Sequence, residues 1–138
     1  MSAAPAGREA PTTSPDLAQL ADLYARYSYG VDTKHPGVLA DCFSDDIAFG
    51  IAGASPTLGR DAVLERLGAR ASTDVVHHAF NIVVVEARPQ ETLVRADFTM
   101  ARRGTPIATG RYADEVVSSA AGLRFRSRSI EFTWRAEA

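Results

Sequence analysis

Four polar residues carry side chains that together could move a proton: Tyr27, Asp32, His77 and Asn81. Tyr27 lies on the apolar stripe of a predicted helix, and Asp32 lies at the end of that helix, where the helix dipole disfavours a carboxylate. His77 and Asn81 share one face of an otherwise apolar predicted strand, where unpaired polar groups are costly. A phenol, a carboxylate, an imidazole and an amide facing one apolar cavity could transfer a proton beside a carbonyl group.

Each of these residues also has a purely structural explanation. A tyrosine on an apolar stripe is often a core residue, and an aspartate in a turn is often solvated. A surface histidine and a hydrogen-bonded core amide explain the other two equally well. The residue types alone leave both explanations open.

Motifs for metal, nucleotide and redox chemistry are missing from the sequence. His77 and His78 are adjacent in a strand and point to opposite faces, so they cannot both bind one metal ion, and only His35 remains. No glycine-rich phosphate-binding motif is present. The single cysteine, Cys42, lies on an apolar helical face, as a small core residue does. We therefore expect an activity that needs neither a metal nor a cofactor.

Length and charge limit the class of protein. The chain has 138 residues, 46% of them hydrophobic, which predicts one globular domain. Residues 1–13 consist mostly of alanine, proline and small polar residues, and we expect them to form a disordered tail before a single domain at 14–138. A net charge of −2 gives no general attraction to nucleic acid or to an anionic membrane.

The sequence favours a cytoplasmic location. The longest aliphatic run, 82–85, is far shorter than the roughly 20 residues of a membrane-spanning helix. Residues 1–15 lack the apolar stretch of a secretory signal, and a single cysteine fits a reducing compartment. We therefore expect neither membrane insertion nor export.

The periodicity of apolar residues changes from helical to alternating at about residue 72. A helix is predicted from an N-cap at Ser14, a short second helix ends near 44–46, a brief strand covers 47–51, and a third helix runs from Gly59 to near Gly68. Helices followed by an antiparallel meander indicate an α+β fold. The alternating runs predict four strands, at 75–87, 93–102, 107–118 and 123–135.

The last predicted strand does not alternate cleanly. Leu123 and Phe125 share one face, whereas the later apolar residues fall on the face of Arg124, Arg126 and Arg128. A bulge near 127–129, or a partner chain covering the second face, would bury both apolar sets. The three arginines themselves are interpreted as a solvated sheet face rather than as an RNA-binding surface.

Five short segments occur in the order and spacing seen in SnoaL-like proteins of the nuclear-transport-factor-2-like (NTF2-like) superfamily, and the chain resembles that family over about 16–135. The resemblance implies a cone-shaped α+β barrel in which three N-terminal helices pack in a curved antiparallel sheet. It also implies a homodimer through the outer sheet face, which would cover the second face of the last strand. The segments are YSYGVD at 27–32, CFSDD at 42–46, GRDA at 59–62, HHAFN at 77–81 and GRYAD at 110–114.

Within this superfamily, the chain is most similar to the scytalone dehydratase and bile-acid dehydratase branch. That branch uses a tyrosine, an aspartate five residues later and a histidine on the first long strand, which Tyr27, Asp32 and His77 match. His78 takes the place of His77 if the register differs by one residue. The strand at 47–51 has no carboxylate, unlike the ketosteroid isomerase pattern.

The hypothesis that follows is a cofactor-independent lyase or isomerase acting on a small hydrophobic substrate with a carbonyl group. His77 would be the base, Asp32 would orient it, and Tyr27 would donate to the enolate oxygen, with Asn81 as a second donor or a substrate contact. The alternatives are a non-catalytic module that binds a small molecule or a protein, and a polyketide-type cyclase. An Asp32–His77 hydrogen bond at a cavity would favour catalysis over binding alone. The aromatic residues expected at the substrate are Tyr24, Phe43, Phe80 and Phe98.

Overall fold

A computed structural model describes residues 15–70 and 74–137, and the predicted tail at 1–13 lies outside them. The described residues form three helices and a six-stranded sheet, so the predicted α+β class is confirmed. The elements are α1 Leu17–Asp32, α2 Pro36–Ala40, β1 Phe43–Ile51, β2 Thr57–Leu58, α3 Arg60–Arg70, β3 Val75–Ala87, β4 Thr92–Arg102, β5 Thr105–Ser119 and β6 Gly122–Arg135.

Helix α1 begins with a capping box at Asp16, not with a cap at Ser14, which lies outside the described residues. The Asp16 carboxylate accepts the backbone N–H of Gln19 at 2.8 Å, and the Gln19 side chain accepts the backbone N–H of Asp16 at 2.9 Å. Leu17, the first residue of the helix, is exposed, although the helical apolar spacing includes it. No helix in the described residues is long and apolar enough to cross a membrane. The buried face of α1 consists of Leu20, Leu23, Tyr24, Tyr27, Gly30 and Val31.

Helix α2 is shorter than predicted, because β1 begins at Phe43 rather than at 47. The backbone N–H of Phe125 donates to the carbonyl of Cys42 at 2.7 Å, and Phe43 pairs with Phe125 in the sheet. Phe43 and Phe125 are both fully buried. This pairing with β6 draws the residues after α2 into an extended conformation, although their apolar spacing also suits a helix.

The sheet has the strand order β2-β1-β6-β5-β4-β3 and is curved and open, since no pairing joins β2 to β3 within the described residues. Neighbouring strands are antiparallel except β1 and β6, which are parallel. This one pairing differs from the antiparallel sheet that was expected. It arises because the meander from β3 to β6 brings the last strand back beside the first.

A bulge in β6 explains how this strand buries Leu123 and Phe125 before it and Ile130 after it. Phe125 pairs with Val116 of β5, and Ser127 pairs with the preceding residue of β5, Glu115. Arg126 is therefore the extra residue of the bulge. The bulge predicted near 127–129 therefore lies at Arg126. It places Phe125, Arg128 and Ile130 on the inner face, so the interpretation of Arg128 as a solvated residue was wrong: it is 1% exposed.

Candidate active site

A cavity of about 270 Å³ lies between α1, α3 and the inner face of the sheet. Its volume is close to the lower end of the roughly 300–1,000 Å³ typical of small-molecule sites. Most of its wall is apolar, including Val31, Phe49, Phe98, Met100, Ile130 and Phe132. The polar residues that line it are Tyr27, Arg66, His77, Arg102 and Tyr112.

Asp32 and His77 form two hydrogen bonds at the wall of this cavity. Oδ1 of Asp32 lies 2.6 Å from Nδ1 of His77, and Oδ2 of Asp32 accepts the backbone N–H of His77 at 2.9 Å. Both side chains are only 15% exposed. A carboxylate is an acceptor, so Nδ1 carries the proton of the neutral imidazole and Nε2 has the lone pair. This arrangement fixes both the position and the tautomer of the ring.

Local structure explains why these two residues meet. Asp32 is the last residue of α1, and the helix ends there with Thr33 as its C-cap. His77 is the third residue of β3, on the strand face that also carries Ala79. Because the end of α1 packs against the start of β3, the Asp32 carboxylate can reach both the backbone and the ring of His77.

Tyr27 also lines the cavity, and its ring is almost completely buried. Burial raises the pKa of Tyr27, although the nearby Arg128 guanidinium acts in the opposite direction. The phenol therefore stays protonated at neutral pH and is a hydrogen-bond donor rather than a base. The guanidinium carbon of Arg128 lies 4.3 Å from the centroid of this ring.

A buried ion pair supports the wall behind Tyr27. Nε and Nη2 of Arg128 donate to the two carboxylate oxygens of Asp114 at 2.9 and 2.8 Å, and the hydroxyl of Tyr24 also donates to this carboxylate. Burial alone would lower the pKa of Arg128, but the Asp114 carboxylate more than offsets this and raises it. The guanidinium therefore stays charged inside a group of aromatic rings. The nearest rings are those of Tyr112 at 3.6 Å and Phe125 at 4.1 Å.

A bulge in β3 keeps Asn81 out of the cavity, so its predicted contact with the substrate does not fit the structure. Asn81 has a φ of 54° and lies with Ile82 in the bulge, so that Ile82 takes the inward position. Its exposed amide donates to Asp97 at 2.8 Å instead. Phe80 pairs with Asp97 on the outer face and is 43% exposed, so it does not line the cavity either.

The other predicted substrate contacts divide between the cavity and the core. Phe98 lines the cavity, where a ligand could contact it. Tyr24 and Phe43 are buried in the core and are not among the lining residues, since Tyr24 points to Asp114 and Phe43 packs edge-on against Tyr27. They support the wall from behind rather than facing a ligand.

Sequence reasoning missed Tyr112, whose ring is stacked on Phe98 at 4.6 Å between centroids. The signal was an alternation along β5, in which Ala108, Gly110, Tyr112, Asp114 and Val116 are all buried. It also missed Arg66, because the face of α3 that meets the cavity depends on how this helix packs.

Cys42 and His78, which the sequence also singled out, lie outside the cavity wall. Burial raises the pKa of the Cys42 thiol to about 11, so the thiol is neutral, as expected of a core residue. His78 points away from His77 and is exposed, so it takes no part in the hydrogen bonds with Asp32. Among the described residues, no group of three or more His, Cys, Asp or Glu side chains could hold a metal ion.

Comparison with known sequences identifies one family. A family model described as the SnoaL-like domain matches residues 12–129. No curated protein matches the sequence significantly.

Comparison with solved structures finds the same fold in several bacterial proteins. A protein provisionally named scytalone dehydratase, from Novosphingobium aromaticivorans, is 26% identical with a TM-score of 0.75, covering 88% of this chain and 87% of that one. A hexachlorocyclohexane dehydrochlorinase from Novosphingobium barchaimii is 17% identical with a TM-score of 0.73, covering 86% of this chain and 87% of that one. A protein with a cystatin-like fold from Nostoc punctiforme is 18% identical with a TM-score of 0.76, covering 87% and 92%.

Proposed function

The chain belongs to the SnoaL-like domain family, and from that premise we propose that it is a cofactor-independent lyase or isomerase of the dehydratase type. The observation that carries the proposal is the 2.6 Å contact between Asp32 and Nδ1 of His77 at the wall of an apolar cavity. Two of the similar structures are named as a dehydratase and a dehydrochlorinase, and both names denote eliminations. The substrate is a small hydrophobic molecule with a carbonyl group.

His77 is the base in this mechanism. With Nδ1 bonded to Asp32, its Nε2 accepts the proton from the carbon next to the substrate carbonyl, and the electron pair of the C–H bond forms an enolate. The Asp32 carboxylate stabilises the imidazolium that results. A positioned base of this kind contributes about 10²–10⁴-fold to the rate.

Tyr27 stabilises the enolate by donating its hydroxyl hydrogen to the developing oxyanion. Its raised pKa keeps the phenol protonated, and the Arg128 charge behind its ring favours donation. As the enolate collapses, the bond to a hydroxyl on the next carbon breaks, and His77 returns its proton to that oxygen, so that water leaves. In an isomerisation, the same proton returns to a different carbon.

A non-catalytic binding module could use the same cavity, but it would not need the Asp32–His77 pair. Binding a neutral hydrophobic ligand requires an apolar wall and a few hydrogen bonds. A carboxylate that uses both oxygens to hold one imidazole at the wall adds desolvation cost and no apolar contact. The pair is needed for proton transfer but not for binding, so its desolvation cost supports catalysis over binding alone.

Two adjacent histidines offer a matched test. The protein is incubated with a panel of cyclic β-hydroxy ketones, some neutral and some carrying a carboxylate, and formation of the conjugated enone is followed by its ultraviolet absorbance. We expect the rate to fall about 10²–10⁴-fold in His77→Gln and by a similar order in Asp32→Asn. His78→Gln, which changes the exposed neighbour on the opposite face, should retain the wild-type rate. A His77→Gln variant as active as the wild type would refute the mechanism.

A further inference from the structure

The cavity wall carries positive side chains and no aspartate or glutamate. Two of its three basic residues have a carboxylate beside them: His77 is held by Asp32, and Nε of Arg102 lies 3.4 Å from Asp74. Within residues 15–70 and 74–137, no carboxylate oxygen lies within 4.0 Å of the third, Arg66. Arg66 therefore contributes a charge to the cavity that the described part of the chain does not neutralise.

Arg66 is held in place by neutral groups. Its Nη1 donates to the carbonyl of Phe49 at 3.3 Å and to the hydroxyl of Thr57 at 3.0 Å, and its guanidinium carbon lies 5.5 Å from the centroid of the Phe49 ring. These contacts fix the side chain of α3 against β1 and β2. They use one nitrogen, and among the described residues no hydrogen bond reaches its Nε or Nη2.

A half-buried cation without a counter-charge is unfavourable in an apolar wall. A ligand that brings a negative charge would remove this cost, and the planar fork of an arginine matches the two oxygens of a carboxylate. A cavity of about 270 Å³ holds one small molecule, so a ligand bound to Arg66 shares the cavity with His77.

We propose that Arg66 binds an anionic group of the ligand, and that the substrate class is a small hydrophobic carboxylic acid. The assignment rests on the proposed function in taking this cavity as the substrate site. In this assignment the apolar residues bind the body of the substrate and Arg66 binds its carboxylate. His77 removes the proton from the carbon next to the substrate carbonyl. It also explains why the positive residues of the wall have no acidic counterpart within the lining.

A structural role for Arg66 makes a different prediction. If Arg66 only ties α3 to β1 and β2, its charge is irrelevant, and Arg66→Gln and Arg66→Lys should have the same effect. Arg66→Gln removes the charge, and its shorter side chain does not reach the positions from which Nη1 donates to Phe49 and Thr57. Arg66→Lys also shortens the side chain and loses the fork, but it keeps the charge. Comparison of the two variants therefore separates charge from tethering.

The test compares two probes of nearly the same shape, cinnamate and cinnamamide, which differ in charge. Their dissociation constants are measured by isothermal titration calorimetry with the full-length protein, and thermal melts report the folding of each variant. We expect the wild type to bind cinnamate at least about tenfold more tightly than cinnamamide. Arg66→Gln should remove this preference, Arg66→Lys should keep most of it, and Arg95→Met, a change at an exposed arginine on β4, should leave it unchanged.

The outcomes separate this inference from the proposed function. Binding of a carboxylate needs no proton transfer, so Asp32→Asn should keep the preference for cinnamate even though it loses turnover. A preference that persists in Arg66→Gln, or that disappears in His77→Gln instead, overturns the role of Arg66. A wild-type protein that does not prefer cinnamate over cinnamamide overturns it as well, whatever the result of the enone assay.

Discussion

At the scale of single residues, Arg128 has a high desolvation cost, because it is a fully buried cation held by one carboxylate and surrounded by aromatic rings. Its two hydrogen bonds to Asp114 and the flanking rings replace the water that the guanidinium loses on folding. Its Nη1 is buried, and no described residue is a hydrogen-bond partner for it, so the replacement is incomplete. The pair positions the rings behind the cavity at a cost in stability that the rest of the core must offset.

Breaking this pair should destabilise the fold strongly. Arg128→Met leaves Asp114 as a buried charge without its partner, and Asp114→Asn leaves the guanidinium in the same situation. We expect each variant to lower the free energy of unfolding by about 3–5 kcal/mol, measured by urea denaturation. The double variant Arg128→Met/Asp114→Leu removes both charges, so it should be more stable than either single variant. Single variants within about 1 kcal/mol of wild type would show that the pair is not structurally important.

At the scale of secondary-structure elements, close approach of β4, β5 and β6 is set by Gly110. A Cβ atom added at this position would lie 2.3 Å from the carbonyl oxygen of Glu131 and 2.4 Å from the ring of Phe98. The Phe98 ring can lie across β5 and stack on Tyr112 only because Gly110 has no side chain. The shape of the cavity wall therefore depends on one glycine.

Replacing Gly110 should disturb both stability and the cavity. We expect Gly110→Ala to destabilise the protein by about 2 kcal/mol or more, because the backbone of β6 must move to make room. Gly68→Ala is the matched control, since no described atom outside the local helix backbone lies within 4 Å of a Cβ atom at that position, and alanine favours a helix by up to about 1 kcal/mol relative to glycine. Thermal melts of both variants test the prediction, and equal stability of the two would contradict it.

Local patterns predicted the elements well and their pairing less well. The period of two located β3 at its observed ends and β4, β5 and β6 to within a residue or two, whereas β1 begins four residues before its predicted start. The parallel pairing of β1 with β6 joins strands far apart in sequence, and no local pattern indicates it. Burial of Arg128 and exposure of Asn81 each depend on a one-residue bulge, which exchanges the two faces of a strand.

The candidate site was predictable where it depended on residue type and order along the chain. Asp32 and His77 were expected together, and the structure places them 2.6 Å apart, although their catalytic roles remain a prediction. Arg66 and Tyr112 were not expected, because which face of α3 and of β5 meets the cavity is decided by packing between elements. Sequence patterns identify chemically unusual residues more readily than the walls around them.

At the scale of the whole molecule, the outer face of the sheet carries exposed apolar side chains that nothing in the described chain covers. Phe80, Val83 and Trp134 are between 43% and 54% exposed there, on or next to strands whose inner face forms the cavity. Burying such side chains against a second copy would remove apolar surface from water at about 25 cal/mol per Å². We propose the homodimer that the family resemblance implies, formed through this face.

The dimer can be tested with two substitutions of the same type. We expect multi-angle light scattering of the wild type to give about twice the 14.8 kDa mass of the chain. Val83→Asp adds a charge to the apolar outer face, on the edge strand β3, and should shift the mass towards the monomer. Leu17→Asp also replaces an exposed apolar residue with an aspartate, but it lies at the first turn of α1, so it should leave the mass unchanged. Because the cavity lies on the opposite face of the sheet, a monomeric Val83→Asp variant should still bind cinnamate. A wild type that is monomeric at high protein concentration would refute the dimer.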